Sequence, residues 1–354
     1  MAKRKDRPED GPAEDLSVHE LIDGPTEVIS AEELAAVRAA GTSRYDVSVE
    51  ATHDLSGYAT KDLSAHATPA ARARVELPRM PAPGALYRRA LRDAVPVIGR
   101  SARPDAPPQV ELAVAGITVD RAQLADYDRV CGFRLADRLP ATYPHVLGFP
   151  LALRLMTTPD FPIALAGVVH VGNRITVHRP IEAGETLDFV THAENLRPHE
   201  RGRQIDVVLV GLIGGEEVWR GVSTYLGRER TPGGGGRRDR GERPATPAAT
   251  ARWRVEPRVG TDYARVSGDH NPIHTSRLGA RLLGFPRPIA HGMWSKARCL
   301  AALESRLPEA YTVDVAFKLP VPLPSTVAFS ATPAWDFALH DARTGRPHLV
   351  GTVR

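Results

Sequence analysis

Tyr263-Ala-Arg-Val-Ser-Gly-Asp-His-Asn-Pro-Ile-His274 decides how this chain is read. Two side chains in it move protons: Asp269 and, five residues on, His274. Between them Asn271 and Pro272 force a turn, because proline cannot continue a helix and drives the residue before it towards extended geometry. A helix that stops near Gly268 therefore breaks into a tight loop, and that loop can aim Asp269 and His274 into one small space. A carboxylate and an imidazole gripping one water is an arrangement for general acid–base chemistry. Taken alone, Asp269 after Ser-Gly reads as an ordinary turn residue, and His274 as a surface or core histidine. It is their company that changes the reading.

That company continues in Gly284-Phe-Pro-Arg-Pro-Ile-Ala-His-Gly-Met293. Pro286 and Pro288 stop any helix before it, so the helix expected over 292–305 starts close to His291-Gly292. Met293, Ala297, Leu300 and Ala301 share one face of it. The first N–H groups of a helix are unpaired and lie at its positive end. Glycine admits a ligand close to that backbone, so Gly292 is a holder for an oxygen that turns negative during reaction. His291 either orients the loop or caps the helix. Tyr263 reads as packing, and Ser295 and Lys296, one turn in, leave contact with a substrate open.

Tyr-x-x-Val-Ser-Gly-Asp-x-Asn-Pro-Ile-His, followed by Gly-Phe and Ile-Ala-His-Gly-Met, resembles the MaoC-like family, the (R)-specific enoyl-CoA hydratases or hydratase 2. The resemblance implies an α+β double hot-dog: two repeats, each an antiparallel sheet wrapped around a central helix. It also implies reversible hydration of trans-2-enoyl thioesters to (3R)-hydroxyacyl thioesters, a hydro-lyase reaction of fatty acid metabolism. The substrate is expected on coenzyme A or on acyl carrier protein, with no cofactor and no metal. Asp269 and His274 are the implied catalytic pair, the Gly292 N–H holds the oxyanion, and Asn271 fixes the loop.

At 354 residues the chain has room for two domains and extra segments. No apolar run approaches the ~20 residues a membrane helix needs, and the charged start, Met1-Ala-Lys-Arg-Lys, is no secretory signal. Two distant cysteines, Cys131 and Cys299, suggest neither a disulfide framework nor a metal site. A reducing cytoplasm is expected. The net charge of +4 is slight; it suits a solvated surface or the phosphates of an acyl-CoA, and nucleic acid is not an expected partner.

Residues 1–83 are poor in large apolar side chains and read as a disordered extension, with a short helix at 30–38 where Ser30 and Glu33 form a capping box. An amphipathic helix is expected at 84–100, a strand at 110–119, and a helix at 119–132 capped by Asp120. Tyr127-Asp-Arg-Val-Cys-Gly-Phe133 then aligns with Tyr263-Ala-Arg-Val-Ser-Gly-Asp269 at an offset of 136, and Arg179–Leu187 with Leu319–Val327 at 140. Two landmarks in one order point to a duplication: an N-terminal repeat over 84–227 and a C-terminal one over 251–354. Phe133 replaces Asp269 in the first repeat and no Asn-Pro-Ile-His follows, so that repeat lacks the acid–base pair. A Gly148-Phe-Pro echoes 284–286, with a helix expected after it. Short β-branched runs from Val168 to Leu226 read as strands. Residues 228–250, with four consecutive glycines among arginines, read as a linker; no aromatics interleave there to suggest RNA binding. A monomeric pseudo-dimer and a homodimer are both open.

Two other functions compete with the hydratase. A hot-dog thioesterase places its carboxylate on the central helix, and no acid opens the helix at 292. A non-catalytic acyl-binding or partner subunit has no need of an intact Asp269 and His274.

Overall fold

The computed structural model describes residues 72–87, 103–165, 168–228 and 248–354. The helix expected at 30–38, the rest of the one expected at 84–100 and most of the 228–250 linker lie outside the described residues. Strands β1 (Ala73–Leu77) and β2 (Val110–Ile117) precede helices α1 (Arg121–Cys131) and α2 (Tyr143–Met156). Then come β3 (Val169–Val177), β4 (Leu187–His199), β5 (Gly202–Ile213) and β6 (Glu216–Arg228). After the linker follow β7 (Ala251–Val255), α3 (Val259–Ser267), the short α4 (Pro272–Thr275) and α5 (Arg277–Leu282), and α6 (Gly292–Ala301). The chain ends in β8 (Tyr311–Phe317), β9 (Ser325–Ala331), β10 (Asp336–Asp341) and β11 (Pro347–Val353).

Among the described residues, eleven strands form one sheet in the order β1-β2-β4-β5-β6-β3-β8-β11-β10-β9-β7. The run β2-β4-β5-β6-β3 has the same order as β7-β9-β10-β11-β8, each read from its outer edge inwards. The two runs meet antiparallel at β3 and β8, with Ile175 opposite Val313. This is the expected α+β hot-dog architecture. Helices α2 and α6 are its two central helices. Alternation on β5 sends Ile205, Val207 and Leu209 into the main core, and Trp219 of β6 ties the sheet to the start of α2 by donating its Nε1–H to the Ala141 carbonyl at 2.8 Å. No helix among the described residues is long and apolar enough to cross a membrane.

Several boundaries differ from expectation, each for a packing reason. The extension expected to reach residue 83 contains β1, which pairs parallel with β2, Ala73 opposite Val110; its residues are mostly exposed, so hydrophobic patterning does not reveal it. Helix α2 begins at Tyr143 and runs through Pro150. Ten of its fourteen residues are buried, and burial at ~1.5–3 kcal/mol per large apolar side chain outweighs the ~3 kcal/mol a proline costs in a helix. Gly148-Phe-Pro therefore sits inside a central helix, whereas Gly284-Phe-Pro lies in the turn before one. The first of the runs expected from Val168 onward is not short: β3 extends over nine residues, and its register against β6 shifts between His170 and Gly172. The helix expected over 292–305 closes at Ala301, and a 3₁₀ turn follows at Glu304–Arg306.

Candidate active site

Helix α3 ends at Gly268, whose φ of 72° is left-handed and whose N–H returns to the Ala264 carbonyl. Only glycine takes that cap without strain, and Asp269 leaves the helix directly after it. Asn271 then caps α4: its Oδ1 accepts from the Ile273 N–H at 3.2 Å, while its own N–H donates to Asp269 Oδ1 at 3.2 Å. Pro272, at the first position of that turn, supplies a preset φ and lacks the N–H that would go unpaired there. His274 rides on this one turn.

The far side of the site comes from the residues before α6. The His274 Nδ1–H donates to the Ile289 carbonyl at 2.8 Å, and the Ile289 N–H donates back to the Ile273 carbonyl at 3.1 Å. This two-way clip leaves Nε2 of the neutral ring as the bare nitrogen. His291 is the residue at the N-terminal cap of α6 but makes no side-chain capping bond; its Nε2–H donates instead to the Asp269 carbonyl at 3.0 Å. The His274 and His291 rings stack at 3.6 Å, and the Tyr263 ring lies 4.8 Å from His291. One ligating atom from each of Asp269, His274 and His291 lies within 4.8 Å of the other two. The sequence-stretch pair thus meets at the start of α6. There the Gly292 N–H donates to no acceptor among the described residues, and a Cβ on Gly292 would stand 3.2 Å from the Phe317 ring.

Burial works against charge at Asp269, but His291, His274, the Tyr87 hydroxyl and the Asn271 N–H outweigh it, and its carboxyl titrates below the ordinary range. Burial pushes the His274 imidazole below 6.5 against the pull of Asp269, and takes His291 down to about 3. At neutral pH the site therefore holds a carboxylate beside neutral imidazoles. The Asp269 side chain keeps 26% of its exposure. Spacing alone would let the three residues hold a cation. One nitrogen of each ring donates to a backbone carbonyl, which leaves His274 Nε2 and His291 Nδ1 as the bare nitrogens.

Asp269, His274, Asn271, His291 and Gly292 are brought together. Lys296 is not: it is fully buried, and its Nζ donates to the Asn173 carbonyl (3.1 Å), Asn173 Oδ1 (2.6 Å) and the Val313 carbonyl (3.2 Å). It staples α6 to the seam between β3 and β8. Three residues that local pattern does not single out face the carboxylate from the N-terminal half. Tyr87 donates its hydroxyl to Asp269 Oδ1 at 2.5 Å. Tyr225 stacks on His170 at 4.7 Å, and the charge of Asp269 bears on both. His170 Nε2 is buried without a partner among the described residues, and its ring lies 4.9 Å from that of Phe317. The Tyr87–Asp269 contact spans 182 residues, beyond the reach of any local signal.

Comparison with known proteins adds to this geometry. A family profile described as the MaoC like domain matches residues 240–334. The chain is 39% identical over 270 residues to 3-hydroxyacyl-thioester dehydratase X of Mycobacterium tuberculosis, covering 75% of this chain and 95% of that protein. It is similar to the crystal structure of the same dehydratase, HtdX, with a TM-score of 0.62 at 38% identity over 69% of this chain and 99% of that one. A MaoC-like dehydratase from Phytophthora capsici shares the fold, with a TM-score of 0.53 at 19% identity over 70% and 95% of the two chains.

Proposed function

As this chain belongs to the MaoC-like hydratase and dehydratase family, and is thereby a hydro-lyase of acyl thioesters, we propose that it adds water reversibly across a trans-2-enoyl thioester to give the (3R)-hydroxyacyl thioester, with Asp269 and His274 as its acid–base pair. The observation that carries this reading is the meeting of a carboxylate and a bare imidazole nitrogen at the open start of α6. A water lying between Asp269 and His274 Nε2 has both of its hydrogens accepted. Its oxygen attacks C3 as one proton passes to the pair, and charge moves into the thioester oxygen. The Gly292 N–H, at the positive end of α6, receives that charge. A proton returned to C2 completes the addition and restores the pair. His291 holds the loop by the Asp269 carbonyl, and Asn271 sets the turn that carries His274.

Residues 84–227 and 251–354 serve, in this reading, as the two repeats joined by the 228–250 linker. The first, without an acid–base pair, supplies the opposite wall, where Tyr225 and His170 stand. Coenzyme A and acyl carrier protein both fit as carrier, and one chain carrying two repeats fits a monomeric pseudo-dimer or a homodimer of such chains. Free, buried Cys131 and Cys299 suit a reducing cytoplasm. The test is hydration of crotonyl-CoA, followed by loss of the enone-thioester absorbance. Replacing Asp269 by Asn or His274 by Ala is expected to lower kcat by roughly a hundred- to ten-thousandfold. Robust turnover in either variant removes the assignment.

A further inference from the structure

We propose that Tyr87 is a positioning residue for the base: its hydroxyl holds Asp269 by Oδ1, leaving Oδ2 as the atom that takes the proton from water. The inference rests on Asp269 being the base and goes beyond it by naming the oxygen and the residue that selects it.

The two oxygens of Asp269 are in different situations. Oδ1 accepts from the Tyr87 hydroxyl at 2.5 Å and from the Asn271 N–H at 3.2 Å. Oδ2 accepts no hydrogen bond among the described residues, and its near neighbour is His291 Nε2 at 3.8 Å, outside hydrogen-bonding range. A carboxylate oxygen that already accepts two donors is the poorer proton acceptor, because each donor stabilises the charge that protonation would remove. Fixing Oδ1 also fixes the plane of the carboxylate, so Oδ2 projects in one direction only.

Tyr87 is held in place to do this. It lies on a helical turn at 83–87 between β1 and β2. Pro83 packs over the catalytic loop, its Cγ 3.5 Å from where a Cβ on Gly268 would stand. Leu86 is buried. The turn thus seats at Gly268 and at Asp269 together, and the donor comes from outside the segment that carries the catalytic motif. Burial first, and then the charge of Asp269, pushes the Tyr87 hydroxyl well above its ordinary value, so it stays a proton donor through the working range.

The test is the pH profile of kcat/KM for crotonyl-CoA hydration in the full chain with Tyr87→Phe, beside Asp269→Asn and the parent. Loss of a hydrogen bond to a charged group is expected to lower kcat roughly ten- to a hundredfold. KM should change little. The acid limb is expected to move to higher pH by roughly one unit, since the carboxyl loses a donor that favours its charged form. In the opposite sense, 3,5-difluorotyrosine at position 87, a stronger donor of the same shape, should move that limb to lower pH; this arm holds even if the phenylalanine variant folds poorly. A Tyr87→Phe enzyme that turns over at the parent rate or faster, with a superimposable profile, overturns the proposal while an inactive Asp269→Asn leaves the base assignment standing. Turnover by Asp269→Asn at the parent rate overturns both.

Discussion

Helix α1 in the first half and helix α3 in the second end in the same way and then part company. Each closes on a left-handed glycine, Gly132 at φ 83° and Gly268 at φ 72°, whose N–H returns to the carbonyl four residues back. The tyrosines one turn earlier, Tyr127 and Tyr263, lie 6.2 Å apart across the interface of the halves. The next residue decides the difference. Phe133 turns into the hydrophobic core; Asp269 turns to the site. Beyond it, Asn271-Pro272 builds a turn that presents His274, while the first half runs on to α2, which opens with the fully buried Tyr143 where α6 opens with Gly292. One backbone device thus turns a side chain into the core in one half and into the candidate site in the other, and a few side chains separate the two.

Exchanging roles at the paired positions is the strongest way to break that contrast. Asp269→Asn should abolish most turnover, roughly a hundred- to ten-thousandfold, with melting close to the parent's. Phe133→Ala should do the reverse, costing about 3 kcal/mol of stability in chemical denaturation while turnover of the folded fraction holds. Next comes the lysine that α6 has and α2 lacks. Lys296→Met strips the donor from three buried acceptors at the β3–β8 seam and should cost about 3 kcal/mol, read as a lower denaturation midpoint. The two glycines sharpen the comparison at a smaller scale. Gly132→Ala and Gly268→Ala should each cost about 1 kcal/mol, since both need a positive φ, but only Gly268→Ala should also depress kcat, because it moves Asp269. The mildest effect is on pH. Burial holds His274 below 6.5, and its partners hold the Asp269 carboxyl below the ordinary range, so the acid limb of kcat/KM, where these groups take up protons, should be centred below 6.5. A limb centred at or above 6.5 would contradict the buried, neutral imidazole.

Much of this was legible before any coordinates. Asp120 caps α1, accepting from the Ala122 and Gln123 N–H groups, as its place before an apolar-periodic run implies. The proline pair at 286 and 288 marks where α6 must start. Gly268 and Asn271-Pro272 announce a loop whose shape follows from φ preferences alone. Other features were not legible. Strand β1 is too exposed to show a pattern, and a proline inside α2 hides a helix that packing holds together. Lys296, one turn into α6, reads as open to contact with a substrate, yet it ends inside the sheet because three acceptors from β3 and β8 converge on it.

The sequence by itself determined the local shape of the stretch from Tyr263 to His274, because caps, prolines and glycines act on their own neighbours within a few residues and leave a local signature. Tertiary structure alone decided what meets that stretch, Tyr87 at Asp269 with Tyr225 and His170 across the site, and alone carried Lys296 away from it to the seam. Those contacts are made by closing the two halves of one sheet around two helices, and no residue type or spacing along the chain encodes which distant partner that closure delivers.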